Sequence, residues 1–236
     1  MRSSGLRMLW CVRSRPAGRK AVQPVLFAGS RAVGWPLSNT DLFRGIADRS
    51  IRCWHTDFPT EFKSNSKDKP GRNVRRHYPT MTMAQCREFA LGVERYVAQQ
   101  AVLFHWITGA LLVKGEHIPV MRAMGFEPTA MGFVWIKLNP NSSPHFFTVR
   151  DIFSGGGFTT RKNAEFCIIG KRGRSLRLDA GINEVIVAPR REHSRKPDEV
   201  FRRIERYCDG PRVDLFGRQA RPGWTIVGNQ ADKFNG

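Results

Sequence analysis

The stretch from Pro189 to Gln230, PRREHSRKPDEVFRRIERYCDGPRVDLFGRQARPGWTIVGNQ, decides the fold. It opens as a basic loop and continues as an amphipathic helix in which Val200, Ile204 and Cys208 recur four apart. Pro197 sits where a first helical turn tolerates proline, and Gly210 closes the helix. Two short strands follow: Arg212 to Phe216 runs into Gly217-Arg218, and Thr225 to Val227 runs into Gly228-Asn229-Gln230. This is the local pattern of an open α/β sheet, in which polar groups at strand ends converge on a ligand while the apolar strand bodies stay buried.

The same alternation extends upstream. Ser50 to Thr56 reads as a strand entering a loop. Thr82-Met83-Ala84-Gln85 matches a capping box, and Phe89, Val93, Tyr96 and Val97 follow at helical spacing, which predicts a helix from Met83 to about Gln99. The continuous apolar run Ala101 to Ile107 is a buried strand, and Leu111 to Met124 a second helix, bent or interrupted at Pro119 and closed by Gly125. Thr129 to Leu138, Glu165 to Gly170 and Glu184 to Ala188 are further strands. Between the first two lies a loop, Asn139 to Thr160, carrying the run Gly155-Gly156-Gly157. Strands alternating with helices predict a three-layer α/β domain with a mostly parallel sheet.

Composition narrows the function classes. The 236 residues carry 39 basic against 20 acidic side chains, a formal charge of +19, and such a surface attracts polyanions, nucleic acid first among them. A third reading, a small-molecule substrate, fits that charge poorly. The cysteines Cys11, Cys53, Cys86, Cys167 and Cys208 are odd in number and contain no CxxC pair, which argues against a disulfide framework and a zinc site and for a reducing compartment. His55, His77, His105, His117, His145 and His193 are too scattered for metal-ligand spacing, and no Ser/His/Asp order suggests a hydrolase. No apolar run approaches a membrane span.

Residues 1–45 read as a separate, basic segment preceding a folded domain over 46–236. The first 40 residues hold seven basic side chains and no acid, without sustained periodicity, as in a disordered basic arm, a transit peptide or an over-extended start. The expected location is cytoplasmic, in a bacterial or phage setting, or mitochondrial if the segment is a transit peptide.

Several pieces taken together, in order, resemble one family. They are His77-Tyr78-Pro79-Thr80-Met81, Phe104 to Thr108, Val134-Trp135-Ile136-Lys137, Asn163-Ala164-Glu165, Ser194 to Glu199, Leu215 to Arg218 and Pro222 to Gln230. The family is that of the S-adenosylmethionine-dependent N(6)-adenine methyltransferases, which includes the messenger-RNA adenosine methyltransferase subunit and bacterial and phage DNA-methylating relatives. The resemblance covers about Ser50 to Gln230 and implies a Rossmann-like methyltransferase sheet with circularly permuted motif order. The expectation that follows is methyl transfer to the N(6) amine of adenine, in DNA rather than RNA, by a monomer or with a methyltransferase partner subunit.

The resemblance also implies residue roles. The family's catalytic loop opens with Asp-Pro-Pro and an aromatic residue; here the matching residues are Asp57-Phe58-Pro59-Thr60. Adenine's exocyclic amine is a poor nucleophile because its lone pair is delocalised. A carboxylate (Asp57) and a backbone carbonyl (that of Phe58) accepting its hydrogens localise that pair, Pro59 stiffens the turn, and a stacked ring fixes the base. Thr60 cannot stack, a loss of about 1–3 kcal/mol per base. Phe58, two positions before Thr60, offers the nearest replacement ring. This leaves two alternatives, an active enzyme and a non-catalytic nucleic-acid-binding subunit with a degenerate loop. For the cofactor, Lys196 would pair with the methionyl carboxylate and Asp57 would face the methionyl amine. Phe216 and Arg218 would border the nucleoside, and Asn229 and Gln230 would bond the ribose hydroxyls or the adenine edge. The basic loops carrying Lys63, Lys67, Lys69, Arg72, Arg75 and Arg76, and Arg161 and Lys162, with Arg150 nearby, are candidate phosphate contacts.

Overall fold

The computed structural model describes residues 42–60, 80–157, 159–192, 195–228, 230–231 and 233–234. Seven strands form one sheet: β1 (Ile51–Thr56), β2 (Val97–Ile107), β3 (Glu127–Leu138), β4 (Ala164–Arg172), β5 (Val185–Pro189), β6 (Arg212–Leu215) and β7 (Trp224–Val227). Their spatial order is β5-β3-β4-β2-β1-β6-β7. Only β4 runs against its neighbours; the other four pairings are parallel. The mostly parallel sheet expected from the alternating pattern is therefore present.

Both sheet faces are covered, because neighbouring residues on each strand point to opposite sides. Trp54, Leu103 and Val227 face a core with Phe89 of α1 (Met83–Val93) and Met121 of α3 (His117–Ala123). Their neighbours Cys53, Phe104 and Ile226 face a second core with Val200, Phe201, Ile204 and Tyr207 of α4 (Asp198–Tyr207). The three layers follow from this partition. Phe43, within the segment read as a basic arm, packs into the first core with its ring stacked 4.5 Å from that of Tyr96.

The capping box forms as expected: Gln85 N donates to Thr82 Oγ1 at 3.2 Å and Thr82 N donates to Gln85 Oε1 at 2.9 Å. The helix it starts is shorter than the spacing predicts. It ends at Val93, a 3-10 turn covers Glu94–Tyr96, and β2 begins at Val97, where pairing with Ile51 captures the backbone. Tertiary strand pairing overrides helical periodicity here. The second predicted helix is two, α2 (Gly109–Val113) and α3. The break is at Gly115, with φ of +71°, and not at Pro119. Pro119 is the third residue of α3, inside the first turn, where a missing N–H leaves no intrahelical bond unmade.

Topology places the functional edge. From β1 the chain crosses to β2 on one side of the sheet and later returns as β6 on the other, so the strand order reverses at β1. A crevice opens where such a reversal occurs, outside the carboxyl ends of the strands. Asp57 stands at that point. Because β4 runs the opposite way, its first residues, including Glu165, lie at the same edge as Asp57 and the end of β3.

Candidate active site

Thr56 is wholly buried at the end of β1, and its Oγ1 meets His105 Nδ1 at 2.8 Å, which fixes the backbone immediately before Asp57. Beyond Asp57 the loop is held from within: Thr60 N donates to the Phe58 carbonyl at 2.7 Å and Met81 N to the Pro59 carbonyl at 2.8 Å. The Phe58 side chain is 6% exposed and turns into the first core against Phe89, His105 and Phe216, with ring centroids 6.1, 5.7 and 4.8 Å away. It is thus a packing residue, and it does not replace the missing stacking ring at Thr60.

Asp57 Oδ2 lies 2.6 Å from Lys196 Nζ, and the same ammonium lies 3.1 Å from Glu165 Oε2. Glu165 in turn pairs with Lys137. Two cations and two carboxylates thus form one chain at the crevice, charge-balanced within itself. Burial alone would push the Glu165 carboxyl up. Attraction to Lys196 and Lys137, with hydrogen bonds from both, outweighs it and holds the group at about 2. For Lys196 burial opposes the charge, but Asp57 and Glu165 win and raise the ammonium above its ordinary value. Its Nζ also sits 5.1 Å above the Trp106 ring, and Lys137 Nζ 5.2 Å above that of Trp135.

Trp106 links this chain to a second polar group. Its indole N–H donates to His55 Nε2 at 2.8 Å, and His55 Nδ1 meets Asp214 Oδ1 at 2.7 Å. An indole nitrogen only donates, so His55 Nε2 carries no proton and Nδ1–H donates to Asp214. The imidazole is neutral, spent at both nitrogens, and structural. Gly217 packs against the same carboxylate, since a Cβ there would lie 2.5 Å from Asp214 Oδ2. Between them Phe216 takes φ of +65°, a left-handed conformation that side chains with a Cβ adopt at a cost of about 1–2 kcal/mol. Its N–H is tied to the Val227 carbonyl at 2.6 Å and its ring to Phe58 and Phe89.

Asp57, Lys196, Phe216 and Arg218 line one cleft, together with His55, Arg195, Phe201, Asp214, Gly217, Gln219, Arg221 and Phe234. The wall residues are cross-tied: Arg195 and Arg221 both donate to Gln219 Oε1, and Arg221 also pairs with Asp198 and stacks 3.7 Å over Phe201. Sequence reasoning assigned no role to Glu165, Lys137, Trp106, Arg195 or Arg221. A signal existed for the first two, a lysine closing one apolar strand and a glutamate opening another.

Gln230 is half-buried and does not line the cleft; its carbonyl accepts the Lys233 N–H. Asn229, together with Lys63, Lys67, Lys69, Arg72, Arg75 and Arg76, lies outside the described residues. Arg161 and Lys162 are exposed just before β4, two strand positions from β1 and Asp57.

A Rossmann-like sheet with permuted order, a carboxylate at its reversal point and a cation facing it define a methyltransferase fold. The sequence matches the MT-A70 family over residues 56–230, so the chain belongs to that family, whose methyl donor is S-adenosylmethionine. It is similar to the N(6)-adenosine-methyltransferase MT-A70-like protein of Drosophila melanogaster, 32% identical over 168 residues, which is 69% of this chain and 26% of that protein. It is 31% identical to the human N(6)-adenosine-methyltransferase catalytic subunit METTL3 over 66% of this chain and 25% of that protein. It is 29% identical to the zebrafish non-catalytic subunit METTL14 over 58% of this chain and 31% of that protein. The chain thus spans about a quarter of the length of the first two relatives.

The donor set of the cleft fits that cofactor. Its amino-acid end is a zwitterion, and Lys196 and Asp57 supply one group of each sign at its scale.

Proposed function

We propose that this chain binds S-adenosylmethionine in the cleft at the end of β1 and methylates the N(6) amine of adenine in a polynucleotide, RNA rather than DNA. The observation that carries the reading is the Asp57–Lys196 pair, 2.6 Å apart, at the strand-order reversal. RNA replaces the expected DNA because the named relatives are adenosine methyltransferases, and adenosine is the ribonucleoside. Lys196 would hold the methionyl carboxylate, Arg218 and Phe216 would flank the nucleoside, and Asn229 would bond its hydroxyls or base. S-adenosylmethionine supplies an electrophilic methyl group. Asp57 and the Phe58 carbonyl accept hydrogen bonds from the amine; that carbonyl keeps a lone pair after accepting the Thr60 N–H.

The second reading is a non-catalytic subunit, and a specific observation favours it: Phe58 is in the core and Thr60 presents no ring. A calorimetric titration with S-adenosylmethionine, followed by incubation with methyl-labelled cofactor and single-stranded adenine-containing RNA or DNA, separates the two. Binding with transfer supports the enzyme. Binding without transfer to either polymer leaves the subunit, and absence of cofactor binding removes the enzyme.

A further inference from the structure

Outside the cleft, three exposed apolar side chains cluster on one loop. Phe146 is 88% exposed, Val149 84% and Phe147 42%, all between β3 and β4. This loop is not slack. Leu138 and Ile152 form an antiparallel bridge, Asn139 N donates to the Asp151 carbonyl at 2.8 Å, and Phe153 N donates to the Lys137 carbonyl at 2.8 Å. At its tip Thr148 and Asp151 cap a 3-10 turn reciprocally, and Ser142 Oγ donates to Asp151 at 2.9 Å. A loop tied at base and tip holds two phenylalanines in water, and exposed apolar groups so constrained mark a surface that meets a partner.

The charge around those rings says which partner. Arg150 is next in sequence, Gly155 and Lys162 form a bridge that brings Lys162 back alongside, and Arg190 follows β5 with its guanidinium 4.2 Å over Phe153. Most other arginines of the described residues face a carboxylate, among them Arg52, Arg95, Arg122, Arg172, Arg191, Arg195, Arg203, Arg206 and Arg221. Arg150, Arg161 and Arg190 face none among the described residues. Rings with flanking unneutralised cations are the two elements that hold single-stranded nucleic acid, rings for the bases and cations for the phosphates.

The position is compatible with the cleft. β3 runs parallel to β1 and ends at the same sheet edge, three strand spacings away, about 14 Å. We infer that Phe146 and Phe147, with Arg150 and Arg190, form a stacking platform for a single-stranded polynucleotide whose neighbouring nucleotides reach Asp57. The inference rests on the nucleic-acid reading above and deepens it. Its partner is a single strand, because bases already paired in a duplex offer no face to a ring.

The test is fluorescence anisotropy of a labelled 20-nucleotide single-stranded RNA, with its duplex as control, against the full chain and the variants Phe146→Ala/Phe147→Ala, Phe146→Trp and Arg150→Ala/Arg190→Ala. The alanine pair should weaken single-strand affinity about tenfold or more and leave duplex affinity and S-adenosylmethionine binding unchanged, while Phe146→Trp retains affinity. The arginine pair should flatten the salt dependence of single-strand binding, by a slope of about 0.7 for each lost phosphate contact. If the parent chain binds the strand and the alanine pair binds it equally well, the platform is wrong and the methyltransferase reading stands. If the parent chain binds no polynucleotide, both fall. Loss of self-association or of a co-purifying protein in the alanine pair, with strand affinity unchanged, assigns the rings to a protein interface and overturns the inference.

Discussion

Replacing Glu165 by glutamine measures how much of the fold depends on the buried charge chain. The substitution keeps shape, replaces one of the two accepting oxygens by an NH2 donor and removes one negative charge from a site where two ammonium groups converge. A native carboxyl at about 2, against an ordinary value of 4.5, corresponds to about 3 kcal/mol of folding stability at neutral pH. The sign follows from proton uptake. Because the folded-state value is depressed, the contribution is complete above about pH 4.5 and is lost as pH falls towards 2; at pH 3 about 1 kcal/mol remains. Urea unfolding at pH 7 and pH 3 should therefore show Glu165→Gln less stable by about 3 kcal/mol at the higher pH, the gap narrowing by about 2 at the lower. Subtracting one protein from the other isolates Glu165, since other acid-sensitive groups contribute to both. A gap that stays constant between the two pH values, or no gap at pH 7, refutes the coupling of Glu165 to Lys196 and Lys137.

Burial holds His105 down to about 3, so the folded protein disfavours its protonation; stability should fall as pH drops from about 6.5 towards 3, and His105→Gln should remove that part of the slope in urea titrations. Gly217→Ala places a methyl 2.5 Å from Asp214 Oδ2 and 2.9 Å from Ile226, and such overpacking should cost about 1–3 kcal/mol in thermal unfolding. Phe58→Ala empties a core position and should cost about 3–5 kcal/mol by the same assay; a smaller loss would mean that the ring is not packed as described. Thr60→Trp restores a ring at the loop without opening that cavity, and if the altered loop is the only defect in catalysis it should raise methyl transfer about tenfold or more, read with labelled cofactor.

The sheet was legible because its strands are apolar runs bounded by turn residues, and the strand ends at Leu215 and Val227 lie within one residue of where the pattern puts them. Val97 shows the limit. Its spacing continues the helix of Phe89 and Val93, yet pairing with Ile51, a partner 46 positions away, decides its conformation. The structure brings together Asp57 and Lys196, the two residues that the family resemblance singled out. The cleft was not legible where the role belongs to a pair: nothing near Glu165 announces that Lys196 will arrive beside it from a different loop. Phe58 was ambiguous because sequence gives a ring's position and not its direction. The neighbours that fix that direction, Phe89, His105 and Phe216, come from three separate elements.

The Asp57–Lys196 contact also bears on ionic strength. The zwitterionic amino-acid end of the ligand exchanges one internal ion pair for two external ones, so the net charge that enters the cleft is that of the sulfonium alone. With one net charge entering, affinity for S-adenosylmethionine should depend only weakly on salt between low and physiological ionic strength. Polynucleotide affinity, which rests on unneutralised cations, should fall steeply over that range. One protein would thus carry two affinities that respond differently to salt, and a modest rise in salt would release the nucleic acid while leaving the methyl donor in place.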